Sequence, residues 1–166
     1  MVAGVCVFDI DGTVTSNHHI SRKQKKKGKN AVAAMVKQCE LNGYEVGINT
    51  ARPRIKRSMQ KYLATIGINF DDLPPKAIQT GKITSNKKTR GLNSIQHVYG
   101  IQNPGNIIFF DDRSRNITAA NLAGYHGMQI TGGMITSKNV TDGMNYFATM
   151  STQTKHNENV FGTSIY

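Results

Sequence analysis

The chain of 166 residues is short of several things. It has no tryptophan, two cysteines, and ten acidic residues against 21 basic ones, a formal net charge of +11. No apolar run approaches the ~20 residues that span a bilayer, which excludes a transmembrane helix. Two cysteines are too few for a disulfide-built scaffold, and a chain of this length can bury a core without one. Cys6 and Cys39 lie in apolar stretches and read as buried free thiols of a reducing compartment rather than a disulfide. The first residues, Met1-Val2-Ala3-Gly4-Val5, lack a basic region and a long apolar segment, so a signal peptide is not expected and a cytoplasmic, intracellular location is. Apolar content of 38% with 19% charged residues excludes a disordered polyelectrolyte.

The scarce acids are concentrated. Four of the ten form two pairs, Asp9 with Asp11 and Asp111 with Asp112. The bases are asymmetric: 19 of the 21 precede Asn116.

Apolar patterning alternates strand and helix. Val2–Phe8 is a short β-branched run suited to a strand buried on both faces. Residues 9–30 are polar without period, and Asn30 is placed to cap a helix with Val32, Met35, Val36 and Cys39 on its apolar face. Tyr44–Ile48 reads as a second strand, followed by a helix carrying Ile55, Met59, Tyr62, Leu63 and Ile66. Lys76–Gln79 is a short third strand, and a helix with Leu92 and Ile95 comes next. Asn106–Phe110 reads as a central strand, Asn116–Ala123 as a helix and His126–Thr131 as the last strand. Four helices stop at Gly followed by an apolar residue: Gly43-Tyr44, Gly67-Ile68, Gly100-Ile101 and Gly124-Tyr125. Glycine takes the left-handed C′ conformation and the next residue packs back on the helix. Helix, glycine stop and strand, repeated, predict an α/β domain of three layers, with about five parallel strands over residues 1–131. Residues 132–166, rich in Thr, Ser, Asn and Met, are expected as an extension, with Val140, Met144 and Phe147 on one docking face of a short helix and the last dozen residues as a tail or packing arm.

Ligands of open parallel sheets bind beyond the carboxyl ends of the strands. Asp9 and Asp11 follow the first strand, Asn49 and Thr50 the second, Asp111 and Asp112 the fourth. One Asp after a strand is ordinary turn chemistry. Two pairs, each after a buried apolar strand, are better explained by a shared cation, because clustered carboxylates repel without one. All-oxygen donors suit Mg²⁺, which is shared with a phosphate. Zinc spacing of His and Cys is missing, and His18-His19 reads as a surface pair.

Phe8-Asp9-Ile10-Asp11-Gly12-Thr13-Val14-Thr15 resembles the first motif of the haloacid dehalogenase superfamily of phosphotransferases. Ile48-Asn49-Thr50-Ala51-Arg52-Pro53 resembles its second motif. Ile108-Phe109-Phe110-Asp111-Asp112-Arg113-Ser114-Arg115-Asn116-Ile117 is similar to its fourth, in the form found in the magnesium-dependent phosphatase branch. The third motif is a lysine: Lys88, with Leu92 four residues on and Asp111 23 residues on (111 − 88), fits best, with Lys87 and Lys82 as alternatives. The resemblance spans residues 2–131 and implies a Rossmann-like fold of that superfamily.

It implies a phosphatase that hydrolyses a phosphate monoester through an aspartyl-phosphate on Asp9, with Asp11 as general acid and base. Thr50 would bind the phosphoryl oxygens and Lys88 would neutralise them. Gly12, Thr13, Asn49, Ala51 and Arg52 would complete the phosphate site. Mg²⁺ would be held by Asp9, the Asp11 carbonyl and Asp112, with Asp111 as ligand or in the outer layer beside Asn116. Which of Asp111 and Asp112 touches the metal stays open.

Only 38 residues separate Asp11 from Asn49 (49 − 11), and 38 separate Thr50 from Lys88 (88 − 50). Neither interval leaves room for the cap domain of many superfamily members, so an open site is expected, suited to a phosphoryl group on a nucleic-acid end or a protein. Arg22-Lys23-Gln24-Lys25-Lys26-Lys27-Gly28-Lys29 falls in the loop after the first motif. Arg52, Arg54, Lys56, Arg57 and Lys61 begin at the second motif, and Lys87, Lys88 and Arg90 surround the third. These clusters read equally as a rim steering a polyanion or as solvated surface. A non-catalytic nucleic-acid-binding module on the same fold is the alternative function.

Overall fold

Valine, isoleucine and phenylalanine in short runs make the sheet, and the face each residue takes sets the layers. The computed structural model describes residues 2–16 and 21–161, with side chains up to residue 150. The elements are β1 (Gly4–Phe8), α1 (Arg22–Leu41), β2 (Tyr44–Asn49), α2 (Arg57–Ala64), β3 (Ile78–Gln79), α3 (Ser85–Val98), β4 (Ile107–Asp111), α4 (Ser114–Leu122), β5 (His126–Gln129) and α5 (Ser137–Phe161). The five strands form one parallel sheet in the order β3-β2-β1-β4-β5. It is a three-layer Rossmann-like α/β fold, as the alternating pattern predicts.

Alternation along β1 divides the core. Cys6 and Phe8 face α1, joined by Ile108 and Phe110 of β4, by Leu63 of α2 and by Phe147 of α5. Val5 and Val7 face the opposite layer with Ile107 and Phe109, against Leu92 and Ile95 of α3 and Ile117 and Ala120 of α4. Phe8 and Phe110 stack with ring centroids 4.7 Å apart, which locks β1 to β4 one residue before the paired aspartates. All four predicted glycine stops adopt positive φ, between 66° and 91°.

Three expectations are corrected. Helix α1 begins at Arg22, not after Asn30, because Ser21 and Gln24 form a reciprocal capping box. The basic run is therefore two helical turns rather than a loop. Cys6 of β1 and Cys39 of α1 are joined by a disulfide, with Cα atoms 6.2 Å apart, and are not free thiols. Both point into the layer between the strand and the helix packed on it, so two fully buried sulfurs meet. Disulfides persist in oxidising compartments, so cysteine usage no longer supports a reducing one. Finally, the segment after residue 131 is no short helix. Met134, Ile135 and Phe147 enter the core, Phe147 packs edge-on against Tyr44, and α5 runs through most of the expected tail. Of its expected docking face, Met144 is exposed.

Among the described residues no additional domain is inserted between the strands, and no helix is long and apolar enough to cross a membrane. His18 and His19 lie outside the described residues.

Candidate active site

Sheet register brings the aspartates together. Phe8 pairs with Phe110, and the Asp9 amide donates to the Phe110 carbonyl at 2.9 Å. Asp9 and Asp111, one step further on adjacent strands, thus stand side by side at the carboxyl edge, where the chain order reverses across β1. Asp9, Asp111 and Asp112 each place a carboxylate oxygen within 4.8 Å of the others.

Lys88 reaches this cluster from the first turn of α3, whose N-cap Thr84 accepts a hydrogen bond from the Lys87 amide. Its ammonium lies 2.8 Å from Asp9 Oδ1 and 3.0 Å from Asp111 Oδ2, and it also donates to the Asn49 carbonyl at the end of β2. Lys88 is only 2% exposed, whereas Lys87 is exposed and Lys82 sits at the rim of the cleft. One ammonium faces three carboxylates, so positive charge is short. Burial raises the Asp9 carboxyl to about 6; Lys88 opposes that rise and Asp111 adds to it. The Asp112 carboxyl is also raised, first by burial and then by Asp111.

Asn116, on α4, donates to both oxygens of Asp111 at 3.0 and 3.1 Å, and its own Oδ1 accepts from Ser85. The Arg113 amide donates to Asp111 Oδ1. Asp111 is therefore held by four contacts from three groups, the Arg113 amide, the Asn116 side-chain nitrogen and the Lys88 ammonium. Ser85 carries no motif and was not expected; its place follows from α3 and α4 lying together across the sheet.

Asp11 stands apart from the carboxylate cluster. Its loop is a tight turn in which Thr13, Val14 and Thr15 amides all donate to the Ile10 carbonyl, and Gly12 takes φ 77°, a conformation a side chain would strain. Arg52 forks onto the Asp11 carboxylate through two nitrogens. Thr50 is fully buried, and its hydroxyl accepts from the Arg52 amide at 3.3 Å. Asn49 donates to the Lys88 carbonyl, so the residue before Thr50 holds α3 against β2. Gly91 allows this approach, because a Cβ there would lie 2.6 Å from Asn49 Oδ1. Thr13 Oγ1 and Asn49 Oδ1 are buried without a hydrogen-bond partner.

A cleft of about 240 Å³ opens over these groups, lined by Asp9, Asp11, Ala51, Lys82, Lys88 and Asn116 among others. Every residue expected in the site lies at this sheet edge. Asp11 and Arg52 pair with each other, and Asn116 bonds Asp111. The rim expected at the third motif is smaller than its sequence suggests, because Lys88 is consumed inside.

No family model matches the chain, and no curated protein matches it. By fold it is similar to an uncharacterised protein from Corynebacterium glutamicum, with a TM-score of 0.58 and 16% identity over 89% of this chain and 96% of that one. It is also similar to a hypothetical protein from Xanthomonas campestris, with a TM-score of 0.55 and 17% identity over 97% of this chain and 88% of that one. At such identities the likeness shows the fold alone.

Proposed function

We propose that the chain is a Mg²⁺-dependent phosphatase acting on phosphate monoesters, with Asp9 as nucleophile. The observation that carries this reading is the buried Lys88 ammonium shared by Asp9 and Asp111, with Asp112 beside them. Burying one cation among three carboxylates costs several kcal/mol unless a further charge completes the site. A binding module with no chemistry to perform has no use for that arrangement, which favours catalysis over the nucleic-acid-binding alternative.

The donor set fits a hard dication: carboxylate oxygens only, close together, with negative charge in excess. Asp9, Asp112 and Asp111 would hold it, and Mg²⁺ would supply charge stabilisation for the transferring phosphoryl group. The chain's own residues would do the rest. Asp9 Oδ attacks phosphorus while Asp11, freed from Arg52 by the arriving phosphoryl group and having taken up a proton from solvent, gives that proton to the departing ester oxygen. Asp11 then takes a proton from water, whose oxygen attacks phosphorus and releases phosphate, restoring Asp9. Lys88 holds Asp9 ionised beside Asp111 and offsets charge on the phosphoryl oxygens. The Thr50 hydroxyl would bond those oxygens, while the Gly12 to Thr15 amides hold the loop's own turn. Arg52 occupies Asp11 at rest, and an arriving phosphoryl group competes for its fork.

The test is hydrolysis of p-nitrophenyl phosphate with Mg²⁺. Activity that is lost in EDTA and in Asp9→Asn supports the reading. Equal rates for wild type and Asp9→Asn, or activity that survives EDTA, overturn it.

A further inference from the structure

The corrected start of α1 changes what the basic run can do. On a helix, Arg22, Lys25, Lys26 and Lys29 recur at i, i+3, i+4 and i+7 and share one face. Lys25, Lys26 and Lys29 line a cleft of about 410 Å³ together with Thr15, Ser16 and Tyr62. Lys29 stands over the Tyr62 ring at 5.8 Å, and the Tyr62 hydroxyl donates to the Val14 carbonyl, tying α2 to the first-motif loop. The cleft adjoins the candidate active site through the first-motif loop, with Thr15 lining this cleft and Asp11 the other. Thr15 bridges to Asp11 and accepts from the Gly12 amide at 2.8 Å.

This stripe is unfavourable for the fold itself. Like charges at i,i+4 repel, and cations in the first turn oppose the helix dipole. No acidic residue stands in that turn. Among the described residues the ion pairs are Lys37–Glu40, Arg52–Asp11, Lys88 with Asp9 and Asp111, and Lys138–Asp142, so none reaches the stripe. A local choice that costs helix stability, with no carboxylate among the described residues paired to it, marks a surface kept for a ligand.

We propose that this cleft is the docking track for the sugar-phosphate backbone of a polynucleotide whose terminal phosphate enters the active site, a substrate class that rests on the phosphatase reading. Arg22 to Lys29 covers roughly 10 Å of helix at 1.5 Å per residue. A polyanion with a charge every few ångströms engages several of these cations at once, whereas a singly phosphorylated peptide engages one or two. Arg57 and Lys61 of α2 are exposed as well. Recognition is of backbone rather than bases: the chain has no tryptophan, and the Tyr62 ring is already covered by Lys29.

The test is fluorescence anisotropy with a labelled single-stranded oligonucleotide, with and without a terminal phosphate, over a salt series. It compares wild type with Lys25→Gln/Lys26→Gln/Lys29→Gln and with a charge-matched control, Lys37→Gln/Lys76→Gln/Lys138→Gln. The cleft variant is expected to bind roughly tenfold more weakly at low salt, and its log–log salt slope to fall by about 2, at ~0.7 per lost single-strand phosphate contact. The control keeps the wild-type slope and affinity. An unchanged slope in the cleft variant, an equal loss in the control, or a singly phosphorylated peptide binding as tightly as the oligonucleotide overturns the proposal. Binding of the phosphate-free oligonucleotide needs no turnover, so it is separable from the phosphatase reading. Lysine-dependent binding by a wild type inert on p-nitrophenyl phosphate overturns that reading and leaves the track. Turnover without salt-sensitive binding does the reverse.

Discussion

Arg52 forks onto Asp11, its Nε 2.8 Å from Oδ2 and its Nη2 2.5 Å from Oδ1. The pair ties the second-motif segment to the first-motif loop and holds the Arg52 guanidinium more firmly charged through the Asp11 hydrogen bonds. Arg52→Ala is expected to raise KM for p-nitrophenyl phosphate roughly tenfold, the lower end for a lost charged hydrogen bond at a part-exposed site, with a smaller change in kcat. Arg52→Lys recovers only part of the loss, because a point charge does not reproduce the planar fork. An unaltered KM in both variants contradicts a phosphate-binding role.

Asp9 makes stability depend on pH. Its carboxyl ionises near 3.8 when unfolded and at about 6 when folded. The unfolded chain therefore loses its proton first, and the folded state loses stability as pH rises from about 4 through 6. The penalty is about 3 kcal/mol once both forms are ionised. In EDTA the thermal midpoint should fall over this interval, and Asp9→Asn should remove much of that fall. Mg²⁺ relieves the same excess of negative charge, so it should raise the midpoint more at pH 7.5 than at pH 5. An equal metal effect at both values contradicts the assignment.

Lys88→Met leaves Asp9 and Asp111 buried and facing each other without their shared cation. Breaking a buried pair costs about 3–5 kcal/mol. Urea denaturation should show a loss of that order at pH 8. The loss should shrink toward pH 5, where Asp9 can take up a proton instead. A pH-independent loss would point to packing alone.

The Cys6–Cys39 disulfide closes a 33-residue separation. Loop-closure entropy for that length is worth about 3–4 kcal/mol. Peptide mapping under non-reducing conditions should recover the linked pair. Cys6→Ala/Cys39→Ala should fold with a denaturation midpoint lowered accordingly. An unlinked pair, or a variant as stable as the wild type, contradicts the bond.

What the sequence discloses, and what it hides, follows from the range of each interaction. β1 and β4 were legible because Val5–Phe8 and Ile107–Phe110 are apolar on both faces, and the glycine stops because C′ chemistry is local. The edge-sharing of Asp9, Thr50 and Asp111 followed from strand ends alone. The start of α1 was hidden because six basic residues mask the helical period, although Ser21 and Gln24 form a local cap signal. The disulfide and the Arg52–Asp11 fork join residues 33 and 41 positions apart, and no periodicity reports such distances. The sequence marks Phe147 as a docking residue, but its place beside Tyr44 depends on how α5 lies across α1 and β2.

The most direct test of the central claim is the position of the phosphoryl group during turnover. Wild type mixed with p-nitrophenyl phosphate and Mg²⁺, then quenched in acid within a turnover, should yield a peptide containing Asp9 that carries one acid-stable, hydroxylamine-sensitive phosphoryl group; Asp9→Asn should yield none. Hydrolysis that proceeds with the label on another residue, or at the wild-type rate in Asp9→Asn, contradicts it.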